Sequence, residues 1–146
     1  MTAAAVVEQG VTRLADPMRI AVSGPWRVTD LKGRAVAAPA LGDWTTQRDL
    51  ELFSGTLVYE TEIALFRPPD RFEIDLGRVG DSAVVAVNGT PVGSALWAPY
   101  RITRGGSAWR AGRNLLQIQV TNSAANSYEG AMRPSGLMGP VYLQTQ

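Results

Sequence analysis

Glu60 and Glu62 stand two residues apart within the alternating run Thr56-Leu57-Val58-Tyr59-Glu60-Thr61-Glu62-Ile63-Ala64-Leu65. If that run is a strand, both carboxyls lie on one face, about 7 Å apart at ~3.4 Å of rise per residue. Paired carboxylates at roughly 5–9.5 Å can divide the work of a hydrolysis between them. The same spacing on an outward strand face is also an ordinary solvated surface, and nothing around these residues implies the burial that raises a carboxyl pKa. Solvation is the stronger reading, and no catalytic residue is assigned. Asp75 and Asp81, each beside a turn, could join backbone carbonyls around a structural Ca²⁺, although no loop motif frames them. No other cofactor is implied. With His 0 and Cys 0, a Ser-His-Asp triad, a thiolate nucleophile and a Cys/His zinc site are all excluded.

Recognition of a polar ligand asks for other groups: an aromatic ring with an open face, and planar side chains that hydrogen-bond. Trp97 lies among Ser94, Ala95, Ala98 and Pro99 just past a hairpin signal, a loop setting in which a ring can be a ligand platform or a loop anchor. Tyr100 opens a short extended piece, where packing inward competes with ligand contact. The polar segment from Asn122 to Pro134 is the second candidate, because it gathers Asn122, Asn126, Tyr128, Glu129 and Arg133 into one loop. Its plainer alternative is a loop tied down by Asn turns and a Glu129–Arg133 ion pair. Trp26 and Trp44 flank strand starts and read as plugs at the ends of a core; Trp109, beside Arg110, reads as a surface ring or a cap.

The elements that would position these residues are short strands. Thr56–Leu65 alternates with Leu57, Tyr59, Thr61, Ile63 and Leu65 on one face. Phe66 to Asp70 must turn, since consecutive prolines cannot sit in a paired central strand. Phe72, Ile74 and Leu76 alternate with charged residues. Gly77 to Asp81 reads as a turn, and Ser82 to Val87 as a central strand, apolar on both faces. Asn88-Gly89 is a strong hairpin signal, Thr90 to Val92 the return strand with Pro91 at an edge or bulge, and Gly93 to Pro99 a loop. Tyr100 to Ile102 is extended, Ala111 to Asn114 turns, Leu115 to Thr121 places Leu116, Ile118 and Val120 inward, and Gly139 to Leu143 is the last strand. Residues 1–18 form a lead-in with at most a short helix through Val7, Val11 and Leu14, ended by Asp16-Pro17; residues 19–146 form one all-β domain of eight or nine strands, a sandwich of two antiparallel sheets.

Composition narrows the partners. The 146 residues suit one domain with a core, and 18% charged residues with net charge +1 give no field for nucleic acid or an anionic membrane. No apolar run approaches the ~18 residues of a membrane span. The start, Met1-Thr2-Ala3-Ala4-Ala5-Val6-Val7-Glu8, lacks a basic region and a long apolar stretch, so no signal peptide is read in it, and without cysteine the compartment stays unknown.

From Ala21 onward the sequence resembles the jelly-roll, galactose-binding-like domain of family 2 and α-L-rhamnosidase-type glycoside hydrolases. The residues that carry this are Ser23-Gly24-Pro25-Trp26, Leu41-Gly42-Asp43-Trp44, Phe53-Ser54-Gly55-Thr56-Leu57-Val58-Tyr59, Asp75-Leu76-Gly77, Val87-Asn88-Gly89, Leu96-Trp97-Ala98-Pro99-Tyr100, Ala111-Gly112-Arg113-Asn114, Val120-Thr121-Asn122 and Ser135-Gly136-Leu137-Met138-Gly139-Pro140-Val141. Their order and spacing together are specific. The resemblance implies a jelly-roll β-sandwich without a catalytic acid or nucleophile, because those enzymes keep the carboxylate pair on a separate (β/α)₈ barrel of about 250 residues. It implies an accessory module with carbohydrate and a catalytic glycosidase domain as partners. In some family 2 galactosidases the loop equivalent to Asn122–Pro134 sends an acidic residue to the sugar; Ala125 and Asn126 stand near that position here, so the acidic contact is missing. The alternatives are a stand-alone carboxylate glycosidase or lyase, and a domain that docks on a barrel by protein contacts alone.

Overall fold

A computed structural model describes residues 18–36, 41–43, 55–122 and 136–146. Among them the strands are β1 (Met18–Ala21), β2 (Arg27–Thr29), β3 (Thr56–Leu65), β4 (Arg71–Asp75), β5 (Arg78–Gly80), β6 (Ser82–Val87), β7 (Thr90–Ala95), β8 (Arg101–Gly105), β9 (Gly112–Thr121), β10 (Gly136–Gly139) and β11 (Tyr142–Thr145), with no helix. One sheet has the order β1-β11-β4-β8 and the other β2-β3-β9-β6-β7, while β5 and β10 form a short pair of their own. The strand pairs are antiparallel, and the chain crosses repeatedly between sheets. The fold is a jelly-roll β-sandwich.

Alternation builds the core. On β3 the five residues Leu57, Tyr59, Thr61, Ile63 and Leu65 are buried, and on β9 Leu116, Ile118 and Val120 are fully so. All of these except Thr61 join Phe72, Ile74, Ile102 and Leu143 of the four-stranded sheet in one continuous cluster. Burying each large apolar side chain contributes about 1.5–3 kcal/mol, which selects this register, since a one-residue slip would turn the apolar set to solvent. The outward positions then fall into rows across the larger sheet: Arg27, Glu60, Gln117 and Ala86 in one, Thr29, Val58, Gln119 and Val84 in the next. Asn88 (φ 52) and Gly89 (φ 84) form the left-handed hairpin turn their types favour. Pro91 satisfies both expectations, because β7 is an edge strand and its register shifts beside it.

Several boundaries differ from the sequence reading. Gly77–Asp81 is not only a turn: Gly77 turns the chain with φ 69, and Arg78–Gly80 then pair with β10 from far along the sequence. The final strand is two, because Gly139 (φ 70) followed by Pro140 interrupts the ladder between β10 and β11. β6 lies inside its sheet as expected, but only one face is buried, since Val84 is 44% exposed. β7 runs on to Ala95, β8 to Gly105, and β9 starts at Gly112 rather than Leu115. Trp109 is neither a surface ring nor a cap: it is 3% exposed and packs edge-on against Phe72 at 5.4 Å. Of the expected lead-in, residues 1–17 and their short helix lie outside the described residues, and Met18 already belongs to β1.

Candidate functional site

The chain leaves β7 at the buried Ala95 and enters β8 in the other sheet, so residues 96–100 cross the edge of the sandwich. In that crossing Trp97 is 73% exposed and Leu96 61%. The far end of the crossing is pinned by Tyr100. Its carbonyl accepts from Leu76 N at 2.8 Å, its hydroxyl donates to the Asp81 carbonyl at 2.7 Å, and its ring packs against the core. Burial, helped by the Asp81 charge, pushes the phenol pKa above its ordinary value. Tyr100 is thus the anchor of this crossing and Trp97 its open ring.

Asn122 follows β9 directly as a buried residue whose Oδ1 accepts from Gly55 N at 2.7 Å, while its own N donates to the Gly55 carbonyl at 3.1 Å. That amide oxygen is engaged with backbone. Asn126, Tyr128, Glu129 and Arg133, like Trp44, lie outside the described residues. Trp26 packs on the core, edge-on to Tyr59 at 6.4 Å.

The carboxylates differ in how far the fold engages them. Glu60 does not face solvent alone: it pairs with Arg27 and accepts from Gln117 Nε2 at 2.8 Å. Burial would raise its pKa, but those two hydrogen bonds and the Arg27 charge outweigh it and hold the carboxyl below its usual range, the reverse of what a general acid needs. Glu62 is exposed, 3.9 Å from the Arg113 guanidinium. Asp75 accepts from Gly77 N at 2.9 Å and pairs with Arg101 at 3.3 Å, so both its oxygens have protein partners. Asp81, at φ 85, lends its carbonyl to Tyr100. No group of three or more Asp, Glu, His or Cys that could hold a metal occurs among the described residues.

One cleft, of about 290 Å³, opens on the outer face of the larger sheet, lined by Val58, Glu60, Gln117 and Gln119 below and by Arg27, Thr29 and the loop residues Asp30, Leu31 and Gly33 beside them. The loop is held closed by its own bonds: Asp30 Oδ1 accepts from Lys32 N and Arg34 N, each at 2.9 Å, and its Oδ2 from Arg34 Nε at 2.8 Å. The backbone N–H of Arg34, with the other bonds from Arg34 and Lys32, lowers the Asp30 pKa. The sequence reading passed over Arg27, Gln117 and Gln119. Their outward placement was legible, because Gln117 and Gln119 alternate with Leu116, Ile118 and Val120, but only the β3–β9 register sets them beside Glu60 and Val58.

No family model matches the chain. A putative β-glucuronidase of Formosa agariphila is 32% identical over 124 residues, which is 78% of this chain and 11% of that protein. The rhamnosidase of Novosphingobium sp. PP1Y superposes over 92% of this chain and 16% of its own, with a TM-score of 0.69 and 34% identity. The chain resembles one domain of a glycoside hydrolase. The family 2 β-galacturonidase of Eisenbergiella tayi superposes over 90% of this chain and 25% of its own, with a TM-score of 0.68 and 21% identity, a likeness of fold alone. The jelly-roll domain thus spans a small part of each of these relatives.

Proposed function

We propose that this chain is a non-catalytic, carbohydrate-binding β-sandwich module of a rhamnosidase- or galactosidase-like glycoside hydrolase, acting beside a catalytic barrel. The observation that carries the reading is the likeness to the rhamnosidase, which covers 92% of this chain but only 16% of that enzyme. The carboxylates support it, because Glu60 is committed to Arg27 and Gln117 and Asp75 to Arg101. Binding is by stacking of a sugar on the open face of Trp97, with hydroxyl hydrogen bonds from the segment between Asn122 and Arg133. A hydrogen bond of this kind contributes about 0.5–1.5 kcal/mol net, so a few of them give a dissociation constant near the millimolar range. No cofactor enters this reading.

Calorimetric titration with rhamnosyl, galactosyl, xylosyl and glucosyl oligosaccharides should show weak binding that Trp97→Ala reduces about fivefold, roughly one stacking contact, and Glu62→Gln leaves unchanged. Absence of binding to every probe would sink the carbohydrate part. Turnover of a chromogenic glycoside, abolished by Glu62→Gln, would instead favour a stand-alone glycosidase. A second reading has its own observation: Leu96 and Trp97 are adjacent, large, apolar and exposed, as a face that docks on a catalytic domain would be.

A further inference from the structure

The cleft beside β2 lies at the opposite edge of the larger sheet from β7, the strand that leads to Trp97. Its floor is a grid of planar side chains. Gln117 and Glu60 are cross-strand neighbours in one outward row, Gln119 and Val58 in the next. Glu60 is held in place from two sides, by Arg27 and by Gln117 Nε2 at 2.8 Å. Gln119 is half-buried, and its side-chain amide makes no hydrogen bond to other described residues. It therefore offers both a donor and an acceptor beside an already oriented carboxylate. Val58 and Leu31 add apolar surface at the same place.

Charge decides what such a cleft can accept. Arg27 is matched by Glu60, and Asp30 by Arg34 at 2.8 Å, while Lys32 of the same loop is not among the lining residues, so the charges that line the cleft are paired. An anion would have to compete with Glu60 for Arg27 and face the Asp30 carboxylate as well; a cation would have to displace Arg27. A peptide strand added at the β2 edge is also disfavoured, because that edge is already covered: Thr29 bridges to Ala35, and Val36 N donates to the Val28 carbonyl at 3.0 Å. What remains is a neutral molecule with donors, acceptors and an apolar side. The volume of about 290 Å³ lies just below the roughly 300–1,000 Å³ of small-ligand clefts, so the cleft has room for no more than one small unit such as a single sugar.

We propose that this cleft is a second saccharide site that takes one uncharged sugar unit through Gln119, Gln117 and Glu60, with the Asp30–Arg34 loop as its rigid wall, and that it discriminates against uronic acids. The proposal rests on the carbohydrate-binding reading above but places the ligand away from Trp97. Little rearrangement is needed on binding, since the strands and the self-bonded loop hold the partners ready.

The test is an NMR titration of the 146-residue chain that follows the side-chain amides of Gln117 and Gln119. The probes are the methyl glycosides of rhamnose, galactose and glucose, with galacturonate and glucuronate as charged counterparts. Support would be amide shifts with a neutral probe, affinity reduced about three- to tenfold by Gln119→Ala as for one lost hydrogen bond, undiminished shifts in Trp97→Ala, and weaker binding of both uronates. Gln119 points outward, so an unchanged circular dichroism spectrum should show that the variant is folded. If saccharide binding survives Gln119→Ala and Gln117→Ala but disappears with Trp97→Ala, the second site is wrong and the accessory reading stands. Uronates that bind the cleft as well as the neutral probes would overturn the selectivity. If no neutral probe shifts these amides, the second site is wrong, and the oligosaccharide titration above decides the carbohydrate-binding reading separately.

Discussion

Asn114 shows how a single polar side chain holds a crowded corner. It is 1% exposed; its Nδ2 donates to the carbonyls of Arg110 (2.9 Å), Gly112 (3.1 Å) and Ile63 (3.3 Å), and its Oδ1 accepts from Arg110 N (2.9 Å) and Asn88 Nδ2 (2.8 Å). Asn88 in turn accepts from Leu115 N at 2.8 Å, so the hairpin turn and the start of β9 are fastened through one amide. Asn114→Ala leaves several of these groups unpaired and should cost about 3–5 kcal/mol, lowering the melting temperature by on the order of 10 °C. Glu60 gives a prediction in pH. Because its folded pKa is lowered, the protein gains stability from it at pH above the ordinary carboxyl value of about 4.3, and loses that gain as pH falls through the folded value. Urea midpoints of wild type and Glu60→Gln should therefore converge between about pH 5 and 3. The gap should be small, under about 1 kcal/mol, because Arg27 is 73% exposed and water screens the pair. A difference that stays constant across that range would contradict the assigned pKa direction.

At the scale of elements, the strands that were legible in the sequence are those whose partners impose period two over a long run. β3 and β4 match their alternation, and Asn88-Gly89 carries its turn in its own residue types. β5 and β10 were hidden because each is short and glycine-bounded; their pairing joins Val79 to Leu137, and no local pattern records a partner that distant. The cleft was hidden for a related reason. Gln117 and Gln119 read as ordinary outward residues until the β3–β9 register sets them beside Glu60 and Val58. Trp97 was legible, since a loop after a hairpin exposes its ring, whereas Trp109 was not, because its burial depends on Phe72 from another strand. The β5–β10 corner has a sharp test in Gly77. It sits at φ 69, and a Cβ there would lie 2.4 Å from the Gly139 carbonyl carbon, a backbone atom that cannot swing away. Gly77→Ala should cost more than the ~1–2 kcal/mol of the left-handed conformation alone, and thermal unfolding measures it. Gly89→Ala, with the same backbone sign but open space around it, should cost only that conformational part.

For the whole molecule, the decisive connection is the one that brings the end of the described chain back to its beginning. β11 covers only Tyr142–Thr145, yet it lies inside the four-stranded sheet between β1 and β4, pairing Met18 with Thr145 on one side and Phe72 with Thr145 on the other. Leu143 is fully buried in the shared core, and Arg19 stacks over the Tyr142 ring at 4.0 Å. Without β11, β1 has no ladder partner in the sheet and β4 is left with an open inner edge, so inner-face residues of the larger sheet lose part of their cover. A chain stopped after Val141 should therefore lose the cooperative unfolding transition of the 146-residue chain, in both circular dichroism and tryptophan fluorescence. Leu143→Ala, which keeps the ladder but removes side-chain packing, should instead retain one transition, weakened by about 2–5 kcal/mol. The contrast separates the role of the ladder from that of the core. If the shortened chain still unfolds in one sharp step, the larger sheet is stable alone and the two sheets are not one folding unit.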